Sequence, residues 1–355
     1  MADNVSVSGA ETLRQMALSP RTQLDLANQQ IFINHVEDIR KTEVHHIPDL
    51  VSYLPNDDSY SDVVDELFYH QGDQTYLSDA FAEYVNQDNF PDRLTFNVQK
   101  VLRMGKEDSR RSVFFGALQA SWFHEADKLS QQVAVTPIPA NEFTRRMALH
   151  EIGRYQQLGR LGISTLEVLG VTLFDEPKSD LSGFFATKLV PDLNTMDNLP
   201  WDEMMKAEQA KYMTMALDMT ATLHSEMIFH GDTKFKNISF SEAQGDFVVS
   251  DIEFSRSLRD VPERVRLIAQ RMRADLGFIE ESVSKFILPT FSLQERPRGE
   301  VARFNFMHNY LYEPYFERII SINGQFVDVL AKAYEVVVND RGARAHSGEV
   351  PRPLN

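Results

Sequence analysis

The chain has 355 residues, with 36 Lys+Arg against 52 Asp+Glu for a formal net charge of −16, 43% hydrophobic and 10% aromatic residues, and no cysteine. That length and composition support one large core or two smaller ones and exclude a globally disordered chain. The charge argues against a nucleic acid or an anionic membrane as partner, since either needs a basic face. Without cysteine there is no disulfide framework, thiolate metal site or catalytic thiol.

The acidity is uneven. From Met1 to Asp92 there are 17 acids and 4 bases, a net of −13, which leaves −3 for everything after. The start of the chain lacks the basic and apolar runs of a signal peptide, and no run of 18 apolar residues occurs, so a cytoplasmic protein is expected. Residues 1–22 are polar and Ser/Ala-rich and read as a flexible tail. Residues 23–92 read as an acidic, mainly helical extension, with short helices over 28–42, 62–69 and 76–85 between Pro, Asn and Asp breakers. His35, His45 and His46 in this region have no liganding geometry and read as surface histidines.

Near Pro91 the pattern changes. Runs over 94–104, 112–119 and 132–138 are rich in Val, Phe, Leu and Thr and predict strands. A helix is expected over 141–161, with Ala148, Ile152, Tyr155 and Leu158 on one face and Gly162 as its stop. Two more strands are suggested over 166–174 and 183–190. A long helix is predicted from 201 to 228, where Tyr212, Met215, Met219, Leu223 and Met227 recur at helical spacing as core filling. Beyond Ser257 helices are expected around 261–286, 301–322 and 324–339, and residues 341–355 read as a second flexible tail. Strands first and helices later make the chain α+β, with a smaller sheet-rich lobe over 93–190 and a larger helical lobe over 191–340.

The chemistry concentrates in His230-Gly-Asp-Thr-Lys-Phe-Lys-Asn237, followed by Val248-Val-Ser-Asp251-Ile-Glu-Phe. Residues 238–240 and 246–250 each read as a short strand, joined by the turn residues Glu242-Ala-Gln-Gly245. Pairing them brings Asn237 close to Asp251, so that one amide oxygen and one carboxylate converge in a way that suits a hard cation such as Mg²⁺ carrying phosphates. Asp232, earlier in the loop, is placed to orient a hydroxyl or accept its proton. The bland alternative makes Asp232 and Asp251 ordinary turn and strand-end acids.

These motifs resemble the catalytic loop and metal-binding motif of the protein-kinase-like superfamily, His-x-Asp-x-x-x-x-Asn followed by Asp-Phe-Gly. The His-Gly-Asp form is most similar to the small atypical branch with the aminoglycoside phosphotransferases. Lys234, two residues after Asp232, resembles the protein Ser/Thr kinases instead. The resemblance spans about residues 94–275 and implies a two-lobed kinase-like fold. It implies Asp232 as catalytic base, Lys234 as charge stabiliser, Asn237 and Asp251 as Mg²⁺ or Mn²⁺ ligands, and His230 as structural. It further implies an ATP site involving Gly105, Gly116, Thr136, Glu151 and Lys188, the last at the start of the linker. Glu151 would be the helix glutamate that pairs with a strand lysine, although on a helix with Arg145, Arg146 and Arg154 it also reads as a solvated surface acid. Asp275 would be a helix-capping acid of the helical lobe.

Three departures qualify the resemblance. Val133-Ala-Val-Thr136 puts Thr136 where the family has its phosphate-binding lysine, and a neutral hydroxyl cannot replace an ammonium there. Only Gly105 and Gly116 flank the turn Lys106-Glu-Asp-Ser-Arg-Arg111, a poor Gly-rich loop, and Glu253 replaces the Gly of Asp-Phe-Gly. Two readings stay open. One is an active phosphotransferase that draws a cation from Lys100, Lys106, Arg110, Arg111 or Lys128 and acts on a hydroxyl-bearing acceptor, in one version cationic. The other is an inactive pseudokinase that binds nucleotide or a partner. The acidic first 92 residues would be a structural extension, an inhibitory arm or a docking surface.

Overall fold

The computed structural model describes residues 44–46, 74–78, 93–103, 112–121, 128–140, 142–178, 181–190 and 192–347. These form two units. The first takes the described residues up to Arg146 together with Glu167–Leu189; the second takes Met147–Leu166 and everything from Val190. The boundary therefore differs from a cut at residue 190, because most of the helix that carries Glu151 packs with the helical unit.

The first unit is a seven-stranded sheet, in the order β1-β2-β6-β7-β5-β4-β3. Its strands are β1 Val44–His46, β2 Gln74–Leu77, β3 Arg93–Arg103, β4 Ser112–Ser121, β5 Lys128–Pro139, β6 Val168–Lys178 and β7 Leu181–Lys188. All neighbours run antiparallel except β1 and β2. The period-2 pattern of β5 emerges as burial: Val133 and Val135 are covered while Ala134 and Thr136 are half-exposed. Phe184 and Phe185 are both buried, and Phe184 meets Phe174 edge-on at 5.4 Å.

Two expectations change here. Residues 76 and 77, read as the start of a helix, are strand: β2 pairs with the edge of β6, with Tyr76 opposite Val171 and buried. The unpaired N–H and C=O groups of that edge outweigh a weak local helical preference. His45 and His46 lie in β1, so residues 23–92 contribute two strands to this sheet, and removing them would strip its edge. The helices expected over 28–42 and 62–69, the remainder of 76–85, and the tails 1–22 and 348–355 lie outside the described residues.

The second unit is mainly helical. Its helices are α1 Glu142–Arg160, α2 Lys206–Ser225, α3 Val265–Ser282, α4 Glu300–Met307, α5 Glu313–Ile322 and α6 Val327–Ser347, with α1 joining the unit at Met147. The short strands β8 Leu193–Thr195, β10 Ser239–Ser241 and β11 Asp246–Val248 make a sheet in the order β11-β10-β8, while β9 Ile228–Phe229 pairs with β12 Arg256–Ser257. α2 packs on α5, and α3 on α6. The predicted face of α1 is buried as expected, Ala148, Ile152, Tyr155 and Leu158 each being at most 3% exposed.

α2 is shorter than its Met periodicity suggested. Trp201 lies outside the helix, its indole N–H donating to the Met196 carbonyl at 2.8 Å and its own carbonyl accepting from Gln209 at 2.6 Å. Glu208 closes the helix start by accepting the Met205 N–H at 2.9 Å. At the other end α6 runs on to Ser347, past the tail expected from Arg341. Arg341 pairs with Glu280 and Arg273 with Asp340, holding that stretch against α3. Among the described residues no helix is long and apolar enough to cross a membrane.

Met219 is fully buried on α2 and Met205 is 68% exposed. Met219→Ala should lower unfolding stability by about 2–5 kcal/mol. Met205→Ala should change it by less than about 0.5 kcal/mol. Urea unfolding of both variants checks the pair, and equal effects would refute this placement of the core.

Candidate phosphotransfer site

Residues 230–237 leave β9 as a loop that must satisfy its backbone without a strand partner. α3 supplies the partners. Asp275 is fully buried and accepts the N–H of His230 at 2.9 Å and of Gly231 at 2.8 Å, while its carbonyl accepts the Thr233 hydroxyl at 2.5 Å. The carboxylate also meets His224 Nε2 at 2.9 Å, and His224 Nδ1 meets the Tyr315 hydroxyl at 2.7 Å. Asp275 thus sits inside α3 and caps the loop rather than a helix end. Burial, then Asp275, pushes the Tyr315 phenol well above its ordinary value, so that hydroxyl stays protonated. Further along, Ser282 accepts the Phe235 N–H at 3.1 Å.

Gly231 has φ +86, and a Cβ there would lie 2.6 Å from the Phe254 carbonyl oxygen. Only glycine lets the loop pass so close beneath the segment after Asp251. Phe235, fully buried, is stacked between Trp201 at 5.2 Å and Phe286 at 5.7 Å, which anchors the turn that presents Asn237.

The three predicted loop residues meet one another. The Asn237 amide donates to the Asp232 carbonyl at 2.9 Å and to Asp232 Oδ2 at 2.8 Å. Lys234 Nζ lies 3.1 Å from Asp232 Oδ1 and 4.6 Å from the centre of the Phe278 ring. The Asp232 side chain keeps 17% exposure and Lys234 35%, enough to meet an outside molecule.

β10 and β11 pair with Ser239 opposite Val248, which sets Asn237, just before β10, beside the chain leaving β11. The Ser239 and Ser250 hydroxyls bond at 2.7 Å, and His230 Nε2 meets the Ser250 carbonyl at 3.2 Å. Burial lowers the His230 pKa, against the opposing pull of Asp275, so the ring is neutral and its Nε2–H donates. His230 is structural, as expected. Asp251 follows with φ +52, a left-handed conformation, and its N–H donates to the Tyr155 hydroxyl at 3.2 Å.

Tyr155 in turn donates to Glu151 Oε1 at 2.8 Å. Glu151 is 7% exposed and Arg154 1%, so the reading of this helix as a solvated charged surface is overturned for both. Arg154 Nε donates to the Ser255 hydroxyl at 3.1 Å and Nη2 to His150 Nε2 at 3.3 Å. Burial first, then Arg154 and Arg256, pushes His150 down to about 3. The helix face therefore holds the segment after Asp251 at several points. Tyr155 and Arg154 went unrecognised in the sequence, yet Tyr155 stands four residues after Glu151, the spacing at which helix side chains meet.

The remaining predicted residues belong to the sheet unit. Gly116 and Lys188 sit opposite Val133 from its two sides, and Thr136 pairs with Phe185. Lys188 Nζ lies 3.5 Å from Glu167, both side chains over half exposed. Lys100 and Lys128 lie on β3 and β5, while Gly105, Lys106, Arg110 and Arg111 lie outside the described residues. No cluster of three or more His, Asp or Glu placed to hold a metal occurs among the described residues.

No family model and no curated protein matches this chain. Among solved structures it is similar to "WaaP in complex with acyl carrier protein", with 15% identity and a TM-score of 0.38, over 75% of this chain and 98% of that one. At that score the likeness assigns neither family nor activity.

Asp275→Ala should cost about 3–5 kcal/mol, since it strands several buried donors at once, each worth roughly 1–3 kcal/mol. Chemical denaturation checks this, and a cost under about 1 kcal/mol would show that the loop closes without the carboxylate. The pH dependence has a definite sign. Between about 3 and the ordinary 6.5, His150 is protonated in the unfolded chain and neutral in the folded one. Unfolding takes up protons there, so stability falls as pH drops from 7 towards 4. His150→Gln should flatten that slope in thermal melts, and an unchanged slope would refute the assignment.

Proposed function

We propose that the chain is a kinase-like phosphotransferase that moves the γ-phosphoryl group of ATP to a hydroxyl of a small molecule or protein. The observation that carries the reading is the bonded group Asp232, Asn237 and Lys234, with Asp251 brought alongside by the β10–β11 hairpin.

The donor set fits Mg²⁺, or Mn²⁺ in its place. Asn237 spends its amide hydrogens on Asp232, which leaves its oxygen as a hard neutral donor on the hairpin that also leads to Asp251. Mg²⁺ keeps waters and phosphate oxygens and asks a protein for one or two such ligands. Asn237 and Asp251 would hold the ion, which when bound neutralises charge on the phosphates.

The chain's own residues do the rest. Asp232 accepts a hydrogen bond from the acceptor hydroxyl, aims its oxygen at the γ-phosphorus, and takes its proton as the oxygen–phosphorus bond forms and the bond to ADP breaks. Lys234 shares its ammonium between Asp232 and the transferred group, stabilising charge as it spreads over the phosphoryl oxygens. Asp275, through the His230 and Gly231 N–H groups, keeps the loop in the shape that lines these groups up.

Thr136 supports a second reading, a nucleotide- or partner-binding module without catalysis, because no ammonium stands at that strand position. ADP release from ATP, Mg²⁺ and a panel of hydroxyl acceptors separates the two. Activity should fall at least about 100-fold in Asp232→Asn and Asp251→Asn. Turnover that survives both substitutions rules out this site. A thermal shift with nucleotide and metal but no ADP release favours the binding module.

A further inference from the structure

The hydrogen-bond chain from Glu151 through Tyr155 to Asp251 lies outside the groups assigned to phosphoryl transfer, yet it ends on one of them. A non-glycine residue at φ +52 is costly, on the order of 1 kcal/mol, and persists only where its surroundings hold it. Those surroundings can be followed residue by residue. The Val249 N–H donates to the Ser164 carbonyl at 2.9 Å, and the Val249 carbonyl accepts the Thr165 hydroxyl at 3.0 Å. The Ser250 carbonyl is taken by His230. The next backbone group, the Asp251 N–H, donates to the Tyr155 hydroxyl.

We propose that Tyr155 is a positioning residue for the metal ligand Asp251: its hydroxyl, oriented by Glu151, takes the Asp251 N–H and holds that residue in its left-handed conformation. The assignment rests on the phosphotransferase reading above. A phenol suits the task because it has one hydrogen to give and lone pairs to receive. The hydrogen goes to Glu151 at 2.8 Å, which turns the lone pairs towards the Asp251 N–H. Tyr155 is 3% exposed, so water has little access to replace the hydroxyl, and phenylalanine would remove this acceptor from the N–H.

The neighbouring helix turn supports the same segment. Arg154 holds Ser255, and His150 meets the Glu253 backbone. Glu151 is therefore engaged with the metal-side loop inside its own unit. Its carboxylate accepts from the hydroxyl that in turn takes the Asp251 N–H. Groups that orient a metal ligand in this way are worth roughly 10–100-fold in metal affinity.

The test is direct Mn²⁺ binding by the full-length protein with an excess of a non-hydrolysable ATP analogue, read from the electron paramagnetic resonance of the free ion. Tyr155→Phe should weaken Mn²⁺ about tenfold. Glu151→Ala, which keeps the tyrosine ring in place, should weaken it comparably. The double variant should bind no worse than the weaker single one, because both act through one hydrogen-bond chain. Asp251→Asn should abolish the binding. If Asp251→Asn abolishes it while Tyr155→Phe and Glu151→Ala bind like the unaltered protein, whatever their melting temperatures, the assignment to Tyr155 is overturned and the phosphotransferase reading stands. Losses that multiply in the double variant also overturn it, since they mark two separate structural roles. If the unaltered protein shows no binding that depends on Asp251, the phosphotransferase reading falls and this assignment falls with it.

Discussion

A single carboxylate with no access to solvent holds the site together. Asp275 gathers the backbone N–H groups of His230 and Gly231, and the ring of His224. Burying a carboxylate is expensive, and it is tolerable only when hydrogen bonds replace its hydration. Here the donors, at the end of α2 and in the loop after β9, come from a stretch more than forty residues before Asp275. Meeting the electrostatic demand of Asp275 therefore forces α2, α3 and the loop into one arrangement. The positions of Asp232, Lys234 and Asn237 follow from that arrangement more than from contacts of their own.

The loop also has a second anchor of a different kind. Phe235 is stacked between Trp201 and Phe286, an apolar clamp that does not weaken with salt or pH as a charge pair would. Between a charged anchor at residue 230 and an aromatic one at residue 235, the backbone of the intervening residues has little freedom left. This is how a segment without regular secondary structure can present a carboxylate and an amide at a fixed 2.8 Å. The neighbouring strands add the other half, since the hairpin register and the Ser239–Ser250 bond fix where the chain arrives at Asp251.

Legibility in the sequence followed the range of the interactions. The hairpin was readable because β10, the turn residues after it and β11 are adjacent in sequence. The helix α1 was readable from Ala148, Ile152, Tyr155 and Leu158. What escaped was set by distant partners. Residues 76 and 77 look weakly helical by themselves and become strand because β6 offers an open edge 90-odd residues later. Arg154 and Glu151 look like surface charges in a helix with several arginines, and are buried because Ser255, Asp251 and Tyr155 supply polar partners that a helical wheel does not display. Tyr155 was assigned to the apolar face correctly, but its hydroxyl carries information that hydrophobic periodicity discards. Asp275 matched the kinase-like layout only as a capping acid, and its actual role, closing a loop from within a helix, depends on the loop passing within hydrogen-bond reach.

Glu151 shows how α1 carries charge into a buried face. A buried carboxylate without hydrogen bonds costs several kcal/mol. Hydrogen bonding from a buried phenol lowers that cost without importing a charge, and the phenol itself is pushed well above its ordinary pKa by burial and by Glu151, so it remains a donor across the physiological range. His150 next to Arg154 follows the same logic with the opposite sign: a neutral imidazole accepts from a guanidinium that a second cation would repel. On this buried face Glu151 accepts from the Tyr155 hydroxyl, and Arg154 donates to the Ser255 hydroxyl and to His150.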